Sequence, residues 1–188
     1  MVFASFVAML FSTLLYVGSL FVSWLYIFIS PLFKFDILWI IVPIWLTWFF
    51  TEFFQESKGT ALGNAITNGA ITLWVGIDLT RYLVRETVFS FELLYLSKIF
   101  LCTCIVLYGV FIVHQGLKKK SYVRKIGRVR ETTYFLLMFS PVVYGILEFS
   151  LSYFLAVFLF FPVWYFGIEF VCIKMIKGEL TQVPPSFS

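Results

Sequence analysis

The sequence predicts an all-α fold, a polytopic transmembrane helical bundle of about six spans with cytoplasmic N- and C-termini. Three observations carry this. Of the 188 residues, 61% are hydrophobic and 13% are charged, about half the charged fraction of ordinary soluble domains. Mean hydropathy is +0.97. Apolar runs near the length of about 20 residues that a spanning helix needs recur between short polar breaks. A soluble fold with 25 Phe and so little charge would expose large apolar patches. One transmembrane domain is expected over residues 1–177. An irregular tail carrying Pro184 and Pro185 follows over 178–188.

The first span is expected over residues 3–29. No charged side chain precedes Lys34. The apolar run is about twice as long as a signal-peptide core, so it reads as a retained span. At about 1.5 Å per residue the helix would be about 40 Å long, more than the hydrocarbon core, and should tilt or protrude. Ala4, Ala8, Ser12, Ser19 and Ser23 fall near one face, and small residues so spaced suit a packing seam. Pro31 ends the run, because the residue before proline is biased away from helix.

The second span is expected over 36–54. Asp36 can cap its start and complement the helix dipole. Pro43 should kink it. Trp39, Trp45 and Trp48 are spread along it, so they cannot all be interfacial and some should pack inward. The third span is expected over 60–83, joined by a short link that makes the two helices antiparallel neighbours. A polar break from Thr80 to Phe91 precedes the fourth span, over 92–113. The fifth is expected over 131–147 with Pro141 inside, and the sixth over 150–176 with Pro162 inside.

The basic loop over 115–130 sets orientation. It holds Lys118, Lys119, Lys120, Arg124, Lys125, Arg128 and Arg130, and no acid before Glu131. Short cytoplasmic loops carry the excess of Lys and Arg. With six spans the inner side collects these seven with Lys58, Lys174 and Lys177, ten in all. The outer side keeps four: Lys34, Arg81, Arg85 and Lys98. The seven loop cations are expected to contact lipid headgroups, each worth about 1 kcal/mol near an anionic surface. A basic run also suits nucleic acid. The loop is short and anchored at both ends against the membrane, so headgroup contact is the preferred reading.

The third span carries the polar groups that bear on function. Thr60, Asn64 and Asn68 share a face at spacing four, with Thr67 beside it and Asp78 and Arg81 towards the far end. Hydrocarbon penalises such groups unless protein, water or ligand satisfies them. Glu52 and Glu56 would share a face before this span. Their repulsion calls for a proton or a cation between them. Gly59 and Gly63, with Ala61, Ala65 and Gly69, offer small-residue rows, so this helix is expected to be central in the bundle.

Enzyme signatures are sparse. No GxSxG, HExxH or P-loop occurs. Cys102, Cys104 and Cys172 form no CxxC, and His114 is the lone histidine. No catalytic residue is assigned, and the sequence names neither cofactor nor metal. Three functional readings follow. In the first, the chain is a small transporter or channel for a polar solute or cation, its path lined by Glu52, Glu56, Thr60, Asn64, Asn68, Asp78 and Arg81. In the second, it is a non-catalytic membrane scaffold or subunit that packs against itself or a partner membrane protein. In the third, Glu52, Glu56, Asn64 and Asn68 hold Mg²⁺ in a membrane-embedded enzyme.

Overall fold

A computed structural model of the chain describes residues 2–52, 60–86 and 91–171. Among them the fold is all-helical, with seven α-helices and no strand. Helix α1 (Val2–Ile29) runs into a 3₁₀ turn over Ser30–Phe33. Pro31 sits at the start of that turn, where its missing N–H costs nothing. Lys34 is extended and begins α2 (Phe35–Phe50). Asp36 lies in the first turn of α2, where its charge suits the dipole, but no side chain caps this terminus. Thr51 and Glu52 follow in a wider π-type turn.

Helices α3 (Leu62–Glu86) and α4 (Leu93–Leu117) form an antiparallel hairpin with the most extensive helix contact in the fold. Glycines spaced by seven explain it. A Cβ added at Gly69 would meet the Ile112 side chain, and one at Gly76 would meet Val106. From the other side, one at Gly109 would lie 2.5 Å from the Leu73 backbone nitrogen. A Cβ at Gly116 would meet the Ile66 side chain. Spacing seven returns to one helix face after two turns, so the backbones approach closely along the whole seam. Gly63, from the expected GxxxG pair, has open space around it; Gly59 lies outside the described residues.

Helix α4 ends in a backbone motif closed by Lys119 in the left-handed conformation (φ 55°). The Lys119 N–H donates to Gly116 O (2.8 Å) and the Lys120 N–H to Gln115 O (3.1 Å). A single turn, α5 (Val123–Ile126), then presses Val123 against Ala65 and Ile112. Helix α6 (Val129–Val143) ends just short of Gly145 (φ 69°). There the Gly145 N–H donates to Val142 O (3.1 Å) and the Ile146 N–H to Pro141 O (2.9 Å), the Schellman arrangement that only a left-handed residue closes. This ends the helix before residue 147, where the apolar run alone placed the boundary. Ser150 caps α7 (Leu151–Val171), its Oγ accepting from the Tyr153 N–H at 3.2 Å.

The central element is α6, not α3. It touches α1, α2, α3 and α7, and nearly every residue from Thr132 to Val143 is buried. Its Tyr134 is fully buried, accepting from Trp24 Nε1 (2.9 Å) and donating to Val157 O (2.5 Å). Tyr153 donates to Met138 O from α7. A core of Leu20, Trp24, Ile27 and Phe160 surrounds these bonds. The first buried residue of α1 is Leu20, among those whose burial is described. Ser12, Ser19 and Ser23 are exposed and bond to their own helix backbone, so their hydroxyls tie α1 to itself and not to a neighbour.

Three helical stretches, Ser5–Phe33, Leu93–Leu117 and Leu151–Ile168, are long and apolar enough to cross a membrane. Helix α2 is apolar but shorter, and α3 is long but polar. Trp39 projects outward while Trp48 packs on Trp164 at 5.2 Å, so the tryptophans of α2 divide between surface and interior.

Candidate functional site

The polar residues of α3 have different surroundings. Asn68 is buried, and its Nδ2 donates to Gly127 O at 2.9 Å. Thr72 donates to Asn68 O and Thr80 to Gly76 O, both at 2.7 Å, so these hydroxyls are satisfied within their own helix. Gly127 lies against Ala65, where an added Cβ would come 2.9 Å from the carbonyl oxygen. Asn68 thus ties the end of α5 to α3 across a buried contact. Asn64 and Thr60 are half-buried and Thr67 is exposed. Glu56 lies outside the described residues.

Glu52 belongs to a second group, at the end of the bundle that bears the basic loop. Its Oε1 accepts from Arg130 Nε (2.7 Å) and Nη2 (2.5 Å). The Arg130 guanidinium lies 5.2 Å from the Tyr165 ring centroid, and Arg128 Nη1 donates to Tyr165 Oη at 2.9 Å. Arg128 also stands 4.0 Å from Glu131. The loop cations therefore divide. Lys118, Lys119, Lys120, Arg124 and Lys125 are exposed, whereas Arg128 and Arg130 turn toward α2 and α7. Sequence spacing places all seven on one loop and says nothing of this division.

The third group closes the opposite end. Asp78 is nearly buried, and each carboxylate oxygen is engaged. Oδ1 accepts from Arg81 Nε (3.0 Å) and Nη2 (2.5 Å), and Oδ2 accepts from Tyr144 Oη (2.9 Å). The Tyr144 ring stacks on Tyr82 with centroids 3.9 Å apart. Lys34 Nζ donates to Tyr82 Oη (2.5 Å) and to Tyr144 O (2.9 Å). The start of α2, the last turns of α3 and the end of α6 are thus fastened by one polar cluster. Beside it opens a cavity of about 310 Å³ between the first turn of α2 and the last turns of α3. Asp36, Trp39, Arg81 and Arg85 line it, with Asp78 and Tyr144 at its base.

The pairing of Asp78 with Arg81 is readable from their spacing of three. Lys34, Tyr82, Tyr144 and Tyr165 are not, because their partners come from distant segments. Among the described residues no group of three or more His, Cys, Asp or Glu is placed to hold a metal ion. Glu52, a ligand in the metal reading, is engaged by Arg130. Comparison of the chain with protein-family models, curated proteins and solved structures gives no match.

Proposed function

We propose that the chain is a six-span integral membrane protein that serves as a membrane-embedded binding or assembly subunit, with both termini on the cytoplasmic side of its basic loop. Helices α1, α2, α3, α4, α6 and α7 are the spans. Helices α2 and α6, at about 24 and 22 Å, fall short of the roughly 30 Å hydrocarbon core. Local thinning and snorkelling of flanking residues accommodate such mismatch. The charge division supports this orientation, since Lys34, Arg81 and Arg85 lie at the end opposite the basic loop.

The observation that carries the subunit reading is the Asn68 contact with Gly127. A conduit along α3 needs its buried amide in water or on solute, and here it holds a loop carbonyl. Reconstitution into liposomes tests this. Small polar solutes and monovalent cations should show no protein-dependent flux, and the chain should run as a stable complex, with itself or a partner, in mild detergent. Flux that disappears in Asn68→Leu with folding intact would overturn the reading.

A transport reading keeps one observation of its own, the charged cavity beside Asp78. It places the solute at the outer mouth and predicts flux that Asp78→Asn removes while Asn68→Leu does not.

A further inference from the structure

We propose that the cavity beside Asp78 binds a small phosphate-bearing zwitterion, the chemistry shared by an aminated phospholipid headgroup and a soluble phosphoamine. At about 310 Å³ it has the size of a small ligand site. The α3 side presents Arg81 and Arg85, four apart and therefore on one helix face. The Arg81 side chain is 63% exposed even though it bonds Asp78, and that of Arg85 is 75% exposed beside Glu86. Forked guanidinium donors suit phosphate oxygens. The α2 side presents the exposed Asp36 and, three residues on, the exposed Trp39. A carboxylate beside an aromatic face is a setting for an ammonium group.

The two signs of charge decide the ligand class. Asp78 is paired with Arg81 and Glu86 with Arg85, and a site for a simple anion would not add the exposed Asp36 to the same space. A site for a simple cation would not carry Arg81 and Arg85. The base is rigid, because Tyr144 and Tyr82 are stacked and pinned by Lys34. Phe35 and Trp39 at the rim are 86% and 82% exposed. Tryptophan at such a position settles at headgroup level in a bilayer, so a lipid headgroup can reach the cavity from the side.

Thermal unfolding of the full chain in a phosphate-free detergent solution tests the site. The probes are O-phosphoethanolamine and short-chain phosphatidylethanolamine, with ethanolamine and short-chain phosphatidylglycerol as single-charge controls. At least one zwitterionic probe should raise the unfolding temperature, with the controls about tenfold weaker in midpoint concentration. Equal action of both zwitterions identifies the free phosphoamine as sufficient, and action of the lipid alone identifies the headgroup. Arg85→Gln and Asp36→Asn lie outside the fastened cluster. Each should lower the unliganded unfolding temperature only slightly, since Asp36 loses a helix-dipole contact and Arg85 an exposed pair with Glu86, and each should weaken the response about tenfold. No zwitterion response in the parent chain overturns the proposal, as does an undiminished response in both variants. An equal response to phosphatidylglycerol also overturns it, since that marks a merely anionic site.

Discussion

Glu52 and Arg130 stand 78 positions apart and meet at 2.5 Å, with 2% of one side chain and 14% of the other exposed. The pair joins the end of α2 to the start of α6. Removing one partner of a buried ion pair leaves the other charge desolvated, at a cost of about 3–5 kcal/mol. Replacing both by apolar side chains removes that penalty. Arg130→Met is therefore expected to lower thermal stability steeply in detergent, and Glu52→Leu likewise. The double variant should recover most of the loss. A double variant as unstable as the two single losses added together would mean that the residues are not coupled.

The Asn68 contact makes a different demand. Asn68→Leu removes the donor and leaves Gly127 O buried without it, which costs about 1–3 kcal/mol. The loss should appear as a lower unfolding temperature together with faster protease cleavage in the basic loop, since Asn68 and the Ala65–Gly127 contact hold that loop to α3. Unchanged loop protection in the variant would show that Val123, the Ala65–Gly127 contact and the Tyr108 bond to Ile126 O secure the segment without Asn68.

Glycine positions separate close contact from open surface. At Gly109 an added Cβ would stand 2.5 Å from Leu73 N and 2.7 Å from Leu73 Cα, both backbone atoms that cannot rotate away. Gly109→Ala should force α3 and α4 apart and destabilise by about 1–3 kcal/mol, as overpacking does. Gly63 has open space, so Gly63→Ala should gain up to about 1 kcal/mol from helix propensity. Opposite shifts in unfolding temperature are expected from the same chemical change. A neutral result at Gly109 would place the seam elsewhere.

These contacts show which parts of the molecule were legible in the sequence. The apolar runs mark helices because hydrophobicity and local breaks act over a few residues. Pro31, Ser150 and Gly145 end or begin helices by local geometry. The α3–α4 seam is also written locally, as glycines at spacing seven in both helices. The polar groups were different. An Asn in a membrane helix reads equally as path or as packing, and the deciding partner is a loop carbonyl 59 positions away. Lys34 and Tyr144 are 110 apart, and no periodicity links them. The central place of α6 was hidden for the same reason. It is short, and its burial comes from neighbours rather than from its own sequence.

Asp78 offers a comparison of two bonds to one carboxylate. Arg81 reaches Oδ1 from a largely exposed side chain, and such a pair is screened by solvent and worth about 0–1 kcal/mol. Tyr144 reaches Oδ2 from a residue that is only 3% exposed. A hydrogen bond to a charged group is worth about 1.5–3 kcal/mol. The neutral partner should therefore matter more than the charged one. Tyr144→Phe keeps the ring stacked on Tyr82 and removes only the hydroxyl, so it isolates that bond. It should lower the unfolding temperature more than Arg81→Gln does. Adding Asp78→Asn to Tyr144→Phe should cost less than Asp78→Asn alone, because the bond is already gone. Salt should narrow the effect of Arg81→Gln and leave that of Tyr144→Phe nearly unchanged. A larger, salt-sensitive loss at Arg81 would reverse the order and make the ion pair the principal tie at this end of the bundle.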